Sequence, residues 1–307
     1  MTKEFPKISP QQLFCVLILS RMAIEITSPN TSSSPKEAIL SIILSELLRF
    51  LLALPLIIFS FKHDNFHRHV YNKNKAMGWI SACFGALLLI GTALKTLFHT
   101  IGFAEKNLPI SISPWLIFAA AAIFAIYAAF MGIEAISRSG VLFLVAAGII
   151  TAIVFIADIP YYQSSDVWNI TDNTTLLSDT FSRFFNGGEY LLFAAFLPYV
   201  NKKHTDSSGK TAMYFMLFGI IIPIALCIFN FLVLREFYGL SEYPSAACAS
   251  LSDIALFKRL DGIFSAIWAL CSSLRCGMML LSAVLVFIAL KRVSAQEAQD
   301  PHENPNA

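Results

Sequence analysis

Charged residues are scarce in this chain of 307 residues: aspartate, glutamate, lysine and arginine together make up 14%, against 56% hydrophobic residues. Soluble globular domains carry about a quarter of their residues as charges, so this scarcity excludes an ordinary soluble fold. Three runs contain no charged residue at all, namely Pro114 to Ile133, Ser139 to Ala157 and Thr211 to Leu234. A bilayer is crossed by about 20 apolar residues in a helix. The composition, with a mean hydropathy of +0.66, therefore predicts an all-α polytopic membrane protein.

The sequence also lacks the patterns that carry catalysis or cofactor binding. It contains no serine, histidine and acid arrangement, no glycine-rich phosphate loop and no H-E-x-x-H motif, so neither an enzyme nor a cofactor is predicted. The six cysteines follow neither a disulfide framework nor a metal-ligand spacing. His63, His67 and His69 lie among basic residues, which is typical of a surface against anionic membrane lipid rather than of a metal site. No basic footprint for nucleic acid is visible.

Hydropathy predicts eight spans within a transmembrane domain of residues 1–293. They are 9–27, 37–61, 76–104, 113–135, 139–158, 187–200, 211–234 and 261–290. The polar segment 294–307 is predicted to be a disordered cytoplasmic tail. An N-terminus inside the cell places twelve lysines and arginines on the inner side and six on the outer side. Because inner loops carry the excess of basic residues, an N-in, C-in topology is predicted, with the long connections 159–186 and 235–260 outside.

Two apolar segments are too short to cross a bilayer cleanly, and they lie five spans apart. The first runs from Ile8 to Ser20, and the second runs from Tyr190 to Asn201. Transporters with inverted repeats form their substrate site from helices that are broken at equivalent places in the two halves. The two segments therefore predict a ligand site of this kind.

Charged side chains inside a span need a partner, a water-filled cavity or a route to the interface. Arg21 and Glu25 lie one helical turn apart just after the first short segment. Two interpretations remain open for them. Either they mark an unwound segment that receives a ligand, or they neutralise each other near the outer interface.

Four further charged residues lie within predicted spans. Glu46 and Arg49 share one face of the second span, where an internal ion pair is the favoured interpretation. Arg275 interrupts the last span near its middle and is predicted to face the protein interior. Lys95 either extends to the interface or faces the bundle, and the sequence does not decide between the two.

Short motifs recur in a fixed order along the chain. They are Ile8–Phe14 (ISPQQLF), Gly132–Arg138 (GIEAISR), Gly188–Glu189 followed by Phe196–Lys202 (FLPYVNK), Tyr243–Pro244, and Arg259–Trp268 (RLDGIFSAIW) followed by Arg275. In order and spacing, from residue 8 to about residue 285, they resemble the B subunits of spore germinant receptors. These subunits are the endospore germination permeases of spore-forming bacteria.

The resemblance implies a LeuT-like inverted-repeat bundle of the amino acid/polyamine/organocation transporter type, with a site between the first, third, sixth and eighth helices. It implies recognition of a small germinant, commonly an amino acid, in the spore inner membrane. The partners it implies are a larger membrane A subunit and a lipoprotein C subunit. The chain departs from the family in having eight predicted spans rather than ten. Its first helix has Arg21-Met22-Ala23 where a glycine usually marks the break.

These considerations predict where a zwitterionic ligand lies. The amides of Gly187 and Gly188, before Glu189, are expected to attract its carboxylate at a helix N-terminus. A break between Ser20 and Ala23 is expected to offer carbonyls to its amino group, with Glu25 as the countercharge. Two rival hypotheses remain open: an amino-acid or cation transporter, and a truncated paralogue with a structural role alone.

Overall fold

A computed structural model of the protein describes residues 8–32, 34–62, 74–108, 113–162, 176–200, 205–252 and 260–299. Within these ranges the chain is almost entirely helical. The helices are α1 Pro10–Thr27, α2 Pro35–Lys62, α3 Lys75–Asn107, α4 Pro114–Ala157, α5 Leu176–Asn186, α6 Glu189–Phe196, α7 Thr205–Leu234, α8 Pro244–Leu251 and α9 Asp261–Gln299. The histidines discussed above and tail residues 300–307 lie outside the described residues.

In the described part of the chain, five helices are long and apolar enough to cross a membrane, namely α2, α3, α4, α7 and α9. Their surfaces carry large exposed apolar side chains, among them Leu51, Phe84, Phe130 and Leu142. Exposed apolar area on this scale is characteristic of a surface that contacts lipid. The protein is thus an all-α, multi-pass membrane protein, whereas its LeuT-like architecture and N-in topology stay predictions.

Helix α4 is folded back on itself at Gly132. Its 44 residues would extend about 66 Å as one straight helix, twice the thickness of a bilayer core. Gly132 has φ 85° and ψ 176°, which is not helical. The rings of Phe124 and Phe143 lie 6.3 Å apart, although 19 residues of straight helix would separate them by about 28 Å. The two halves, residues 114–131 and 133–157, therefore lie side by side, and the chain reverses at Gly132 rather than at the predicted boundary of 136–138.

Helix α9 lies at the centre of the bundle. It packs most extensively against α3 and α4 and also contacts α1. Gly277 brings it so close to α4 that an added Cβ would lie 2.7 Å from the carbonyl oxygen of Ala125. The helix continues to Gln299, whereas the sequence predicts a disordered tail from residue 294. Alanine, glutamine and glutamate predominate over residues 295–299, and all three are good helix formers.

The start of α1 is joined to the end of α6. Ser9 caps α1 by accepting a hydrogen bond from the backbone of Gln12, whose side chain bonds back to Ser9. The N–H of Ile8 donates to the carbonyl of Tyr199 at 2.9 Å. The two short apolar segments that the sequence singles out are therefore neighbours in space.

The conformation of Gly132 predicts a selective effect of adding a methyl group there. A non-glycine residue in this region of backbone space costs about 1–3 kcal/mol, so Gly132→Ala should lower the free energy of unfolding by that amount. Gly148→Ala is the matched control, because Gly148 is helical with open space around its Cβ position and should be neutral or slightly stabilising. Unfolding in mixed micelles with increasing SDS measures both. Equal stability of the two variants would contradict the proposed turn.

Candidate ligand site: a buried arginine and glutamate network

Seven charged side chains from five helices form ion pairs inside the bundle, and we name them the charge network. They are Arg21 and Glu25 of α1, Glu46 and Arg49 of α2, Arg183 of α5, Glu189 of α6 and Arg275 of α9. None of these side chains is more than 14% exposed. Charges buried in a membrane protein are costly unless they are paired, so such a concentration is a candidate functional site.

Arg275 projects from the central helix and is fully buried. Its Nε donates to Ser20 Oγ at 3.0 Å, and its Nη1 donates to Thr96 Oγ1 at 2.5 Å. Its Nη2 donates to the carbonyl of Asn186 at 2.8 Å and to Glu189 Oε1 at 2.9 Å. One guanidinium thus joins α9 to α1, α3, α5 and α6, in the interior position that the sequence predicts for it.

The helix break at Gly187 and Gly188 does not leave free amides. The N–H of Gly187 donates to the carbonyl of Phe184 at 3.1 Å, and the N–H of Gly188 donates to Glu189 Oε2 at 3.0 Å. The protein's own carboxylate therefore occupies the position predicted for the ligand's carboxylate, so the described structure does not show the free amides on which that placement depends. The space is filled as well, because a Cβ on Gly188 would lie 3.1 Å from the methyl group of Met279.

Glu46 and Arg49 form the ion pair that their spacing predicts, with Nη1 and Oε2 2.8 Å apart. The hydroxyl of Tyr190 donates to the other oxygen of Glu46 at 2.9 Å. Arg49 also donates through Nε to the carbonyl of Phe184 at 3.3 Å, and through Nη2 to the carbonyl of Arg183. The last carbonyls of a helix have no partner within it and carry the negative end of its dipole. Arg49 and Arg275 thus cap the C-terminus of α5.

Helix α1 is unbroken through Ser20, Arg21, Met22 and Ala23, so the predicted break with free carbonyls is wrong. The segment contains neither glycine nor proline after Pro10, and the carbonyl of Ala23 accepts a hydrogen bond from Thr27 Oγ1 at 2.7 Å. Met22 is buried in the apolar core. The apolar run appears short from the sequence because Arg21 and Glu25 continue the helix as buried, paired charges.

Among the described residues, the charges in the network do not balance: four arginines face three glutamates. Arg183 pairs with Glu25, and Glu46 is shared by Arg49 and Arg21. Arg21 is 1% exposed and lies 3.7 Å from Glu25 and 3.6 Å from Glu46. Its Nε and Nη2 make no hydrogen bond within the described residues. Arg21 is therefore a buried cation that is ion-paired with two glutamates but has two nitrogens without a hydrogen-bond partner within the described residues.

A polar cavity of 40 Å³ lies beside the network, between the C-terminal end of α1 and helices α5, α7 and α8. Glu25, Arg183 and Asn186 line its charged side, and Pro223 and Leu226 of α7 line its apolar side. Arg183 Nε and Asn186 Oδ1 are buried atoms without a hydrogen-bond partner. The cavity therefore lies beside one buried donor, Arg183 Nε, that the described residues leave unused, whereas the side chain of Asn186 faces the imidazole of His99.

Two remaining predictions concern Lys95 and metal binding. Lys95 is half-buried, next to Thr96, and joins none of the ion pairs of the described residues. It lies one residue from an Arg275 partner but outside the charge network. Within the described ranges, no three histidine, cysteine, aspartate or glutamate side chains come together as a metal site requires.

Sequence reasoning missed Arg183 and Asn186, because it treated residues 159–186 as a loop. A signal was present. Leu177, Phe181 and Phe185 follow one another every four residues and are all more than half exposed, whereas Asp179 and Asn186 are buried on the other face. This spacing is that of an amphipathic helix, with its polar face towards the protein.

Comparison with known proteins gives no assignment. No known family model matches this chain, and no curated protein matches it. The resemblance to germinant-receptor subunits therefore rests on the sequence motifs alone.

The Arg275–Glu189 pair predicts a non-additive pattern of stability. Arg275→Met should destabilise the protein by about 3–5 kcal/mol, because it leaves the Glu189 carboxylate buried without its cation. The double variant Arg275→Met with Glu189→Gln should recover part of this loss, since the unpaired charge is removed. SDS unfolding of reconstituted protein measures both variants.

The control for this double-mutant cycle is Arg138→Gln, which breaks the exposed pair with Glu134. Exposed pairs contribute at most about 1 kcal/mol, so little change is expected. Glu189→Gln is also measured alone. If the double variant lost as much unfolding free energy as Arg275→Met and Glu189→Gln lose when their separate losses are added, the two side chains would not be coupled as described.

Proposed function

We propose that the protein is a membrane receptor subunit that recognises a small carboxylate-bearing ligand, in the manner of the B subunit of a spore germinant receptor. The observation that carries the proposal is the buried Arg21 inside the charge network, which has two nitrogens without a hydrogen-bond partner within the described residues. A buried donor that is left without an acceptor costs about 1–3 kcal/mol, and more when the group is charged. An anionic ligand group that joins the network offsets this cost, which gives the ligand an affinity for the bundle interior.

Several of the motifs that suggest the germinant-receptor family lie where the chain turns or where two helical segments are connected. Gly132 makes the turn within α4, and the Glu134–Arg138 pair follows directly after it. Ile8, just before α1, and Val200, just after α6, belong to two different motifs and form an isolated β-bridge with each other. Such positions need particular residue types, so their occurrence in family order supports a common architecture rather than a chance match. The spore inner membrane and the A and C subunits are part of this proposal.

Among the two rival functions, active transport is less well supported. Coupling to protons needs a carboxylate that gains and loses a proton within the membrane. Glu25, Glu46 and Glu189 are each ion-paired with at least one arginine. Recognition without net transport fits these three paired carboxylates better, whereas the buried Asp158, which accepts from Ser252 Oγ, is ion-paired with no described residue. Flux of radiolabelled amino acids into proteoliposomes distinguishes the two functions, and the receptor proposal predicts binding without net flux.

Arg21→Met tests the central observation. If Arg21 awaits a ligand's anionic group, its removal should leave the stability of the ligand-free protein unchanged or raise it. The same change should abolish the thermal stabilisation by whichever common L-amino acids stabilise the wild-type protein. Thermal unfolding of purified protein in lipid nanodiscs, with and without each amino acid, measures both effects.

Arg49→Met is the matched control, because Arg49 is fully partnered by Glu46 and by the carbonyls of α5. It should destabilise the ligand-free protein. Equal destabilisation by Arg21→Met would mean that Arg21 is an ordinary structural charge. Absence of any stabilisation of the wild-type protein would contradict the receptor proposal itself.

A further inference from the structure

We infer that Asp158 is a proton-binding group, and that its protonation at mildly acidic pH tightens the attachment of helix α8 to the end of α4. This inference does not depend on the ligand proposed above. Asp158 directly follows the last residue of α4, outside the apolar span that ends at Ala157. Its contact on the other element is Ser252, the residue that directly follows α8.

The polar contact between the two elements is one hydrogen bond to a buried carboxyl group. Ser252 donates through Oγ to Asp158 Oδ1 at 2.9 Å, and both residues are fully buried. The second carboxyl oxygen, Oδ2, has no hydrogen-bond partner within the described residues. A buried carboxylate with one donor and no described cation is costly, because its charge is removed from water without a counterion. Protonation removes the charge and with it this cost.

The described titratable groups that face Asp158 stay uncharged near neutral pH. They are the phenol of Tyr162, in the segment after α4, and the thiol of Cys248, in α8. Burial raises the pKa of Tyr162 to about 12 and the pKa of Cys248 well above that of an ordinary thiol. From α7, Phe229 packs on Tyr162 and Asn230 accepts from Cys248, and neither residue titrates. The described neighbours therefore leave the charge of Asp158 without compensation.

The direction of the pH effect follows from the environment of Asp158. Burial raises the pKa of its carboxyl group from 3.8 to about 6, and the hydrogen bond from Ser252 partly opposes this rise. Because the folded value is the higher one, proton uptake stabilises the attached state. This stabilisation is complete below pH 3.8 and is lost as the pH rises through about 6. Helix α8 is thus held more tightly at pH 5 than at pH 7.5.

The position of α8 gives its attachment a consequence for access to the interior. Pro244 and Ser245 line the polar cavity beside the charge network. Ala247 and Ser250 line a separate cleft of 390 Å³ next to the end of α3 and the start of α9. Helix α8 thus contributes to the walls of both spaces. Its loosening at higher pH would connect the cleft with the cavity.

Infrared difference spectroscopy of the full-length protein in nanodiscs detects the proton itself. A protonated carboxyl group has a C=O stretch that is well separated from the bands of a carboxylate. The wild type should show such a band that titrates at about pH 6 and is missing in Asp158→Asn. Ser252→Ala removes a donor that favours the carboxylate, so the band should titrate at a higher pH than in the wild type.

Hydrogen exchange of the α8 amides, corrected for the intrinsic effect of pH, measures the attachment. With pKa values of 3.8 and about 6, linkage predicts about tenfold greater protection at pH 5 than at pH 7.5. Asp158→Asn keeps the shape of the side chain without the charge. Its α8 amides should therefore be protected as strongly at pH 7.5 as at pH 5.

Asp179→Asn is the matched control, because Asp179 is also a buried aspartate with an unpartnered Oδ2 within the described residues but belongs to α5. It should keep both the Asp158 band and the pH dependence of α8. Equal protection of wild-type α8 at the two pH values would overturn the inference, as would a pH dependence that persists undiminished in Asp158→Asn. If Asp158→Asn does not fold, an unchanged titration of the band in Ser252→Ala overturns it instead.

Discussion

The guanidinium of Arg275 holds the bundle together at its centre, because it bonds to acceptors on four other helices at once. Without it, the carbonyl end of α5, the carboxylate of Glu189 and two buried hydroxyl groups would all lose a donor in a low-dielectric interior. A membrane-embedded protein has no water nearby to replace such bonds. The break between α5 and α6 is therefore stable because an arginine from another helix satisfies it. The glycines permit the break, and Arg275 with Arg49 fixes its geometry.

The same arrangement explains why helix α5 has its polar face turned inward. Its exposed side carries Leu177, Phe181 and Phe185, and its buried side carries the groups that join the charge network. The hydrophobic effect does not hold such a helix on the bundle. Its attachment depends instead on hydrogen bonds from Arg49 and Arg275 to its C-terminal carbonyls and on the pairing of Arg183 with Glu25.

Contacts between residues that are close in the sequence could be predicted from it, whereas contacts between residues that are far apart in the sequence could not. The apolar runs predict a helical membrane protein, and the local spacing of Glu46 and Arg49 predicts their pair. Pairs such as Arg183 with Glu25 join residues that are far apart in the sequence, so no local pattern reveals them. The predicted break in α1 was wrong for a related reason: a charge after an apolar run resembles the end of a helix unless its partner on another helix is known. Gly132 shows the intermediate case, in which a motif glycine is visible but its role as the turning point depends on its φ angle.

The most direct measurement is an experimental structure of the protein in nanodiscs, determined with saturating L-alanine, glycine or L-valine. The account predicts density for a small acid inside the bundle, with its carboxylate bonded to the two nitrogens of Arg21 that otherwise have no hydrogen-bond partner within the described residues. A charge network that holds no such density, with Arg21 Nε and Nη2 still without a hydrogen-bond partner at saturating concentrations of all three acids, would contradict it.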